Sequence, residues 1–278
     1  MTDSTPPSAE DTLAQLQRQL DELTTTLESL RSENNRLLQS LQQADEKRAR
    51  FISLVSHELR TPMTAIKGYA DLLLRGAVGP LNEQQRNFVN IILSNVERMA
   101  GLVGNLADIS RLESGRLALK IAPTFLPAQL EEALRPLRAK LAEKGLSFST
   151  DISLSLPQLS ADAARLVQVL SNLLSNAWKY TPAGGQISMR TFREGEVMRI
   201  EVCDTGIGIR PEEQSRVFTQ FFRSEDPAVR QESGWGLGLH LAKGLVEAMG
   251  GKIGFTSDPA IGSTFWFTLP LAPSEKQG

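Results

Sequence analysis

DTGIGI at residues 204–209 follows directly on MRIEVC at 198–203, whose alternating apolar positions read as a β-strand. A carboxylate at a strand's end can accept a hydrogen bond from an exocyclic amine, and Gly206 and Gly208 let backbone pass close to a bound molecule. Alone, an Asp-Gly pair after a strand is an ordinary turn. Its neighbours give it meaning. Upstream, NLLSNAWKYTP at 172–182 puts Asn172, Asn176, Lys179 and Tyr180 at helical offsets of zero, four, seven and eight, so the four share one face. Leu173, Leu174 and Ala177 turn toward the core. A solvated polar face is the bland reading of that quartet, but amide oxygens suit magnesium and a lysine suits phosphate oxygens. Downstream, GWGLGL at 234–239 opens a helix, so backbone N–H groups from Gly236, Leu237, Gly238 and Leu239 can face an anion. GSTF at 262–265 starts a closing strand.

Further elements surround these blocks. LALKIA at 117–122 reads as a short strand, 127–144 as a helix, LSFSTDI at 146–152 as a strand and 161–179 as a helix. QISMRTF at 186–192 alternates as a strand; a helix at 239–249 and the strands KIGFTS and STFWFTLP close the region. Helices on one face of a mixed sheet account for this order. TQFFRSEDPAVRQES at 219–233, charged and flanked by glycine, suits a mobile lid anchored by Phe221 and Phe222.

The N-terminal third has another rhythm. Leu13, Leu16, Leu20, Leu23, Leu27, Leu30, Leu37, Leu41 and Ala44 form a heptad repeat, and Asn34 at a seam position favours a parallel, in-register dimer. Phe51, Val55 and Leu59 then come in two successive steps of four, a stutter that unwinds a supercoil locally. It falls on His57, within SHELRTP at 56–62, one of only two histidines in 278 residues. Pro62 has no N–H for the Glu58 carbonyl and is expected to bend or loosen the helix. After RGAVGP at 75–80, a second amphipathic helix starts at the cap Asn82 and runs to about Glu113. Two such helices bury little alone; with a second copy they make a four-helix bundle. His240, inside the helix after the glycines, reads as structural or solvent-exposed.

In this order SHELRTP, NLLSNAWKYTP, DTGIGI, GWGLGL and GSTF resemble the sensor histidine kinases of bacterial two-component systems, over about residues 48–270. The resemblance implies an α+β chain with an N-terminal parallel coiled coil, a dimeric four-helix-bundle phosphoacceptor domain and a C-terminal α/β sandwich ATP-binding domain of the Bergerat type. The expected divisions are a disordered tail at 1–10, a coiled coil or signalling helix at 11–47, and a dimerisation and phosphotransfer domain at 48–115. A catalytic ATP-binding domain at 120–272 and a tail at 273–278 follow. ATP and Mg are the implied cofactors. Asn176 would hold magnesium with Asn172 as second candidate, and Asp204 would bind the adenine amine. Lys179 and Arg223 would offset phosphate charge, and Thr264 would supply a hydroxyl at the adenine edge. Tyr180, Gly206, Gly208 and the glycine block at 236–239 complete the implied ATP site.

The implied chemistry is autophosphorylation of His57 with Glu58 orienting its ring, then transfer to an aspartate of a separate response regulator. Thr61, one turn after His57, would orient water for dephosphorylating that regulator. An ATP-binding dimeric scaffold without transfer activity is the alternative; an ATPase of the chaperone or repair class is disfavoured, because those lack the His-bearing hairpin. Net charge is −2 and hydrophobic content 41%, so no basic excess points to nucleic acid or an anionic membrane. Cys203, the single cysteine, reads as a buried strand residue. The N-terminus lacks the regions of a secretory signal, and no apolar run approaches the roughly 20 residues that span a bilayer. A cytoplasmic homodimer is the expectation. No sensor domain fits in residues 1–50, so the input comes from a partner on the coiled coil or the chain is a fragment.

Overall fold

The computed structural model describes residues 9–153, 156–232 and 234–273. The expected tails at 1–10 and 273–278 fall mostly outside these residues, as do the side chains of Leu13, Leu16, Leu41 and Arg48. The chain divides after Phe51 into two units, each taken by itself. Two helices, α1 (Ala9–Leu74) and α2 (Glu83–Glu113), precede β1 (Ala122–Thr124), α3 (Leu126–Leu134), α4 (Arg138–Glu143), β2 (Ser147–Asp151) and β3 (Leu159–Ala161). Then come α5 (Ala163–Tyr180), β4 (Gln186–Glu194), β5 (Val197–Asp204), α6 (Pro211–Gln214), α7 (Pro227–Gln231), α8 (Gly238–Ala248), β6 (Lys252–Asp258) and β7 (Gly262–Pro270).

In the first unit the described residues, from Ala9 on, are helix, and the seam leucines Leu20, Leu23, Leu27, Leu30 and Leu37 are 55–67% exposed. The second unit begins inside α1, which stays helical through Pro62, and turns back at residues 75–82. The cap of α2 is a capping box: Asn82 Oδ1 accepts from the Gln85 N–H at 2.8 Å and Gln85 Oε1 accepts from the Asn82 N–H at 3.0 Å. Met63 packs with Val96 and Val103, and Lys67 pairs with Glu97 at 2.8 Å. Chain order reverses across those contacts, so the two helices are antiparallel. Little else is buried between them. Leu54, Ile66, Tyr69, Leu72, Phe88, Ile91, Ile92 and Met99 stay 45–70% exposed.

Residues from Ala122 onward build a five-stranded sheet in the order β2-β4-β5-β7-β6, parallel between β2 and β4 and antiparallel elsewhere. Period-two alternation buries Ile187, Met189, Met198, Ile200, Val202, Phe265, Phe267 and Leu269 beneath helices that include α5 and α8. Two expectations are corrected. LALKIA is not a strand; pairing begins at Ala122, where β1 meets β3 antiparallel. The helix expected at 127–144 is two, α3 and α4, because Pro136 cannot donate to the helical ladder. Cys203 is half-buried, with Arg190 Nη2 donating to its sulfur at 3.4 Å, rather than a core residue.

Candidate nucleotide site and phosphoacceptor helix

A cavity of about 620 Å³ opens between α5, the β5–α6 turn, the lid and α8, with one wall from α2. The helical offsets read from the sequence hold: Asn172, Asn176, Lys179 and Tyr180 all line it. Helix α5 is placed by its cap, since Asp162 Oδ1 accepts from the Arg165 N–H at 3.2 Å while Oδ2 accepts from the Lys120 N–H at 2.8 Å. At its other end Lys144 Nζ donates to the Trp178 and Lys179 carbonyls at 2.8 and 2.9 Å, satisfying last-turn acceptors.

Asp204 stands at the cavity floor. Burial raises its carboxyl to about 6, against the opposing pull of hydrogen bonds from the Gly206 N–H, 2.9 Å away, and from the Ser263 N–H. Gly208 has φ +71°, and a side chain there would collide with the Asp258 carbonyl, so only glycine lets this turn lie against the β6–β7 loop. Burial lowers Lys179 from its ordinary value, and Arg223, Lys140 and Arg98 push the same way against Glu232. Burial raises Tyr180.

The lid is cross-tied. Arg223 donates to the carbonyls of Val229 (2.7 Å), Glu232 (2.6 Å) and Gly234 (2.9 Å), so its guanidinium fastens lid backbone while also lining the cavity. Ser224 donates to Glu213, and Asp226 caps α7. Phe222 packs on the core beneath Arg216, but Phe221 is 58% exposed and does not anchor. Its φ of +59° is costly for a bulky residue and is held by its N–H bond to the Gly236 carbonyl at 3.0 Å. Gly236 itself has φ +68°, and a Cβ there would run into the same Phe221–Phe222 backbone.

Thr264 does not line the cavity; its neighbour Ser263 does. In the β5–β7 register Asp204 faces Ser263 and Cys203 faces Thr264, so strand alternation assigns Ser263 to the Asp204 side. That signal lay in the sequence once the two strands were paired. Gly206 does not line the cavity either and acts through its N–H on Asp204. Apolar walls from Ile207, Ile209, Val217 and Phe265 were missed, as were Arg98 and Asn105 from α2, whose approach depends on tertiary packing.

His57 lies on α1, outside the cavity lining. Its Nδ1 stands 3.5 Å from Glu58 Oε1, with both side chains open at 76% and 72% exposure. Thr61 is exposed one turn further on. His240 is structural: Nδ1–H donates to the Phe218 carbonyl at 2.9 Å and Nε2 faces Gln220 at 3.2 Å.

Residues 47–115 match the His Kinase A (phospho-acceptor) domain family, and 161–273 match the histidine kinase-, DNA gyrase B- and HSP90-like ATPase family. The chain is 39% identical over 263 residues to the circadian input-output histidine kinase CikA of Synechococcus elongatus, covering 92% of this chain and 35% of CikA. To the signal transduction histidine-protein kinase BarA of Escherichia coli it is 33% identical over 269 residues, covering 92% of this chain and 29% of BarA. It thus spans about a third of the length of these relatives. A solved structure of full-length ShkA in complex with AMPPNP superposes with a TM-score of 0.67 at 30% identity, over 81% of this chain and 47% of ShkA. Most of the cavity's lining falls within the residues that match this ATPase family. With its phosphoacceptor hairpin followed by that ATPase domain, the chain belongs to the sensor histidine kinases of bacterial two-component systems.

Proposed function

We propose that the chain is an ATP-dependent protein histidine kinase that phosphorylates its own His57 and hands the phosphoryl group to an aspartate of a separate response regulator. The observation that carries this is a solvent-open imidazole with a carboxylate at its Nδ1, on the same unit as an ATP cavity. With Nδ1–H directed at Glu58, Nε2 keeps its lone pair and is the attacking atom. The new bond joins Nε2 to the γ-phosphorus, the bond from that phosphorus to the β,γ-bridging oxygen breaks, and ADP leaves. Glu58 offsets the positive charge that the ring acquires. Because His57 does not line the cavity, transfer calls for the hairpin and the ATPase domain to change their mutual arrangement.

Asn172 and Asn176 suit magnesium bound as its nucleotide complex. Asn172 Nδ2 is buried without a hydrogen-bond partner, and a bound ligand could supply an acceptor for it. Among the described residues no cluster of His, Cys, Asp and Glu forms a cage for a bare ion, whereas magnesium on phosphates needs only one or two protein oxygens. Magnesium would neutralise charge on the β- and γ-phosphates there. Lys179 and Arg223 add positive charge from the protein, and Asp204 reads the adenine amine.

The chain acts as a homodimer on this reading. The exposed leucines of the heptads form a parallel coiled coil around Asn34, and the open apolar faces of α1 and α2 form a four-helix bundle with a second hairpin. A sensory partner on the coiled coil supplies the input. Among the described residues no helix is long and apolar enough to cross a membrane, in keeping with a cytoplasmic place of work.

Incubation with γ-labelled ATP and magnesium tests the proposal. Label stable to alkali and labile to acid is expected on the wild-type chain and absent from His57→Gln. Nucleotide binding without label would leave a scaffold, and release of free phosphate alone would indicate an ATPase. Thr61→Ala is expected to keep that label while losing phosphatase activity toward a phosphorylated regulator.

A further inference from the structure

One stripe of α2 joins two surfaces. Arg98, Gly101, Leu102, Asn105, Asp108 and Leu112 follow at offsets of zero, three, four, seven, ten and fourteen and so share one helical face. The later half fastens the hairpin to the ATPase domain. Asp108 Oδ2 accepts from Arg165 Nη1 at 2.7 Å and from Gln168 Nε2 at 3.1 Å, and Leu112 lies over Gly244, where a Cβ would stand only 2.9 Å from its methyl carbon. The earlier half faces the cavity, where Arg98, Gly101, Leu102 and Asn105 form a wall across from the glycine block and Lys179. The Arg98 guanidinium stands 5.7 Å from the centre of the Trp235 ring, in the glycine block that follows the lid. Four cations from four segments of chain thus reach one cavity, Arg98 from α2, Lys179 from α5, Arg210 from the turn before α6 and Arg223 from the lid, with Asp204, Glu213 and Asp226 also on its walls. Arg98 and Arg223 both act to lower Lys179, and Glu232 acts against them. A guanidinium that α2 brings to the wall of a nucleotide cavity suits a phosphate group.

We propose that Arg98 is a nucleotide-binding residue supplied by the phosphoacceptor hairpin, recognising the phosphate tail of the nucleotide while the hairpin is docked, with Asn105 beside it. The inference rests on the cavity being the ATP site and goes beyond it, because the asparagine helix and the glycine motifs all lie in the ATPase domain. It has a thermodynamic consequence. Nucleotide and docking each strengthen the other by the same factor. Since His57 is outside the cavity in this arrangement, the Arg98 contact belongs to the docked ground state and is given up for transfer. Arg98 thereby ties nucleotide occupancy to the position of the hairpin.

Calorimetric titration of the full chain with magnesium AMPPNP and with adenosine tests this. Arg98 is exposed on its helix, so its replacement does not threaten folding. Arg98→Ala is expected to weaken AMPPNP binding ~5- to 20-fold, the range of a charge-assisted hydrogen bond partly screened by water, and to change adenosine binding less than about twofold. Arg98→Lys should recover part of the loss. In an Asp108→Ala background, where docking is loosened, Arg98→Ala should cost less than about twofold. Equal AMPPNP affinity for wild type and Arg98→Ala would overturn the proposal, as would an equal loss for adenosine and AMPPNP. A wild-type chain that bound neither ligand would instead overturn the reading of the cavity as an ATP site.

Discussion

Asp204 shows how a single residue can work against the stability of the free protein in favour of a ligand. Its carboxyl titrates near 6 because burial disfavours the charge. A folded-state value above the unfolded 3.8 means that its stabilising contribution is complete below 3.8 and is lost as pH rises through about 6. Asp204→Asn should therefore melt higher than wild type at pH 8, and the gap should close by pH 5; scanning calorimetry across that range checks the sign. The same variant should lose most ATP affinity, and wild-type affinity should fall as pH drops below about 6, since the adenine amine needs an ionised acceptor. Asp204 was legible in the sequence because a strand runs straight into DTGIGI. Ser263 was not, because its place beside Asp204 depends on which strands pair. Arg223 was legible as a cation of the site, but its hold on three lid carbonyls depends on how the lid folds back on itself.

Between elements, the informative joint is that of α2 with α5 and α8. Asp108 and Arg165 are 13% and 22% exposed, a largely desolvated pair with Gln168 closing the network. Removing one partner strands the other's charge in a poorly hydrated place. Asp108→Ala should destabilise the second unit by about 1–3 kcal/mol in urea unfolding. Arg165→Met combined with Asp108→Leu should recover part of that loss, because both charges are then gone. If Asp108→Ala left the unfolding midpoint unchanged, the joint would carry no energy. Helical periodicity revealed the apolar positions of α2, and Asn82 revealed its start through ordinary capping chemistry. That Leu102, Ile109 and Leu112 belong to the ATPase core rather than to the bundle was not visible. Period alone gives a face, not the partner that covers it.

For the whole molecule the open question of energy is the apolar surface left uncovered. Five seam leucines in the first unit and eight large side chains of the hairpin stand in water, each able to contribute about 1.5–3 kcal/mol on burial. On the proposed reading a second copy covers both surfaces. Sedimentation equilibrium of the wild type should give a dimer at micromolar concentration, and a monomer would refute that assembly. Asn34→Leu should raise thermal stability while admitting species larger than a dimer, because an amide at the seam of the proposed coiled coil trades stability for register. By itself the sequence determined the heptads, the hairpin, the alternating strands and the Asp, Asn and Gly motifs, most of whose residues gather at the cavity. Each of these follows from periodicity or from local backbone chemistry among residues close in the chain. Tertiary structure alone decided that α2 walls the cavity with Arg98 and Asn105, that Ser263 and not Thr264 lines it, and that His57 stands outside it. Those facts depend on contacts between residues far apart in the chain, and no local pattern encodes which surfaces will meet.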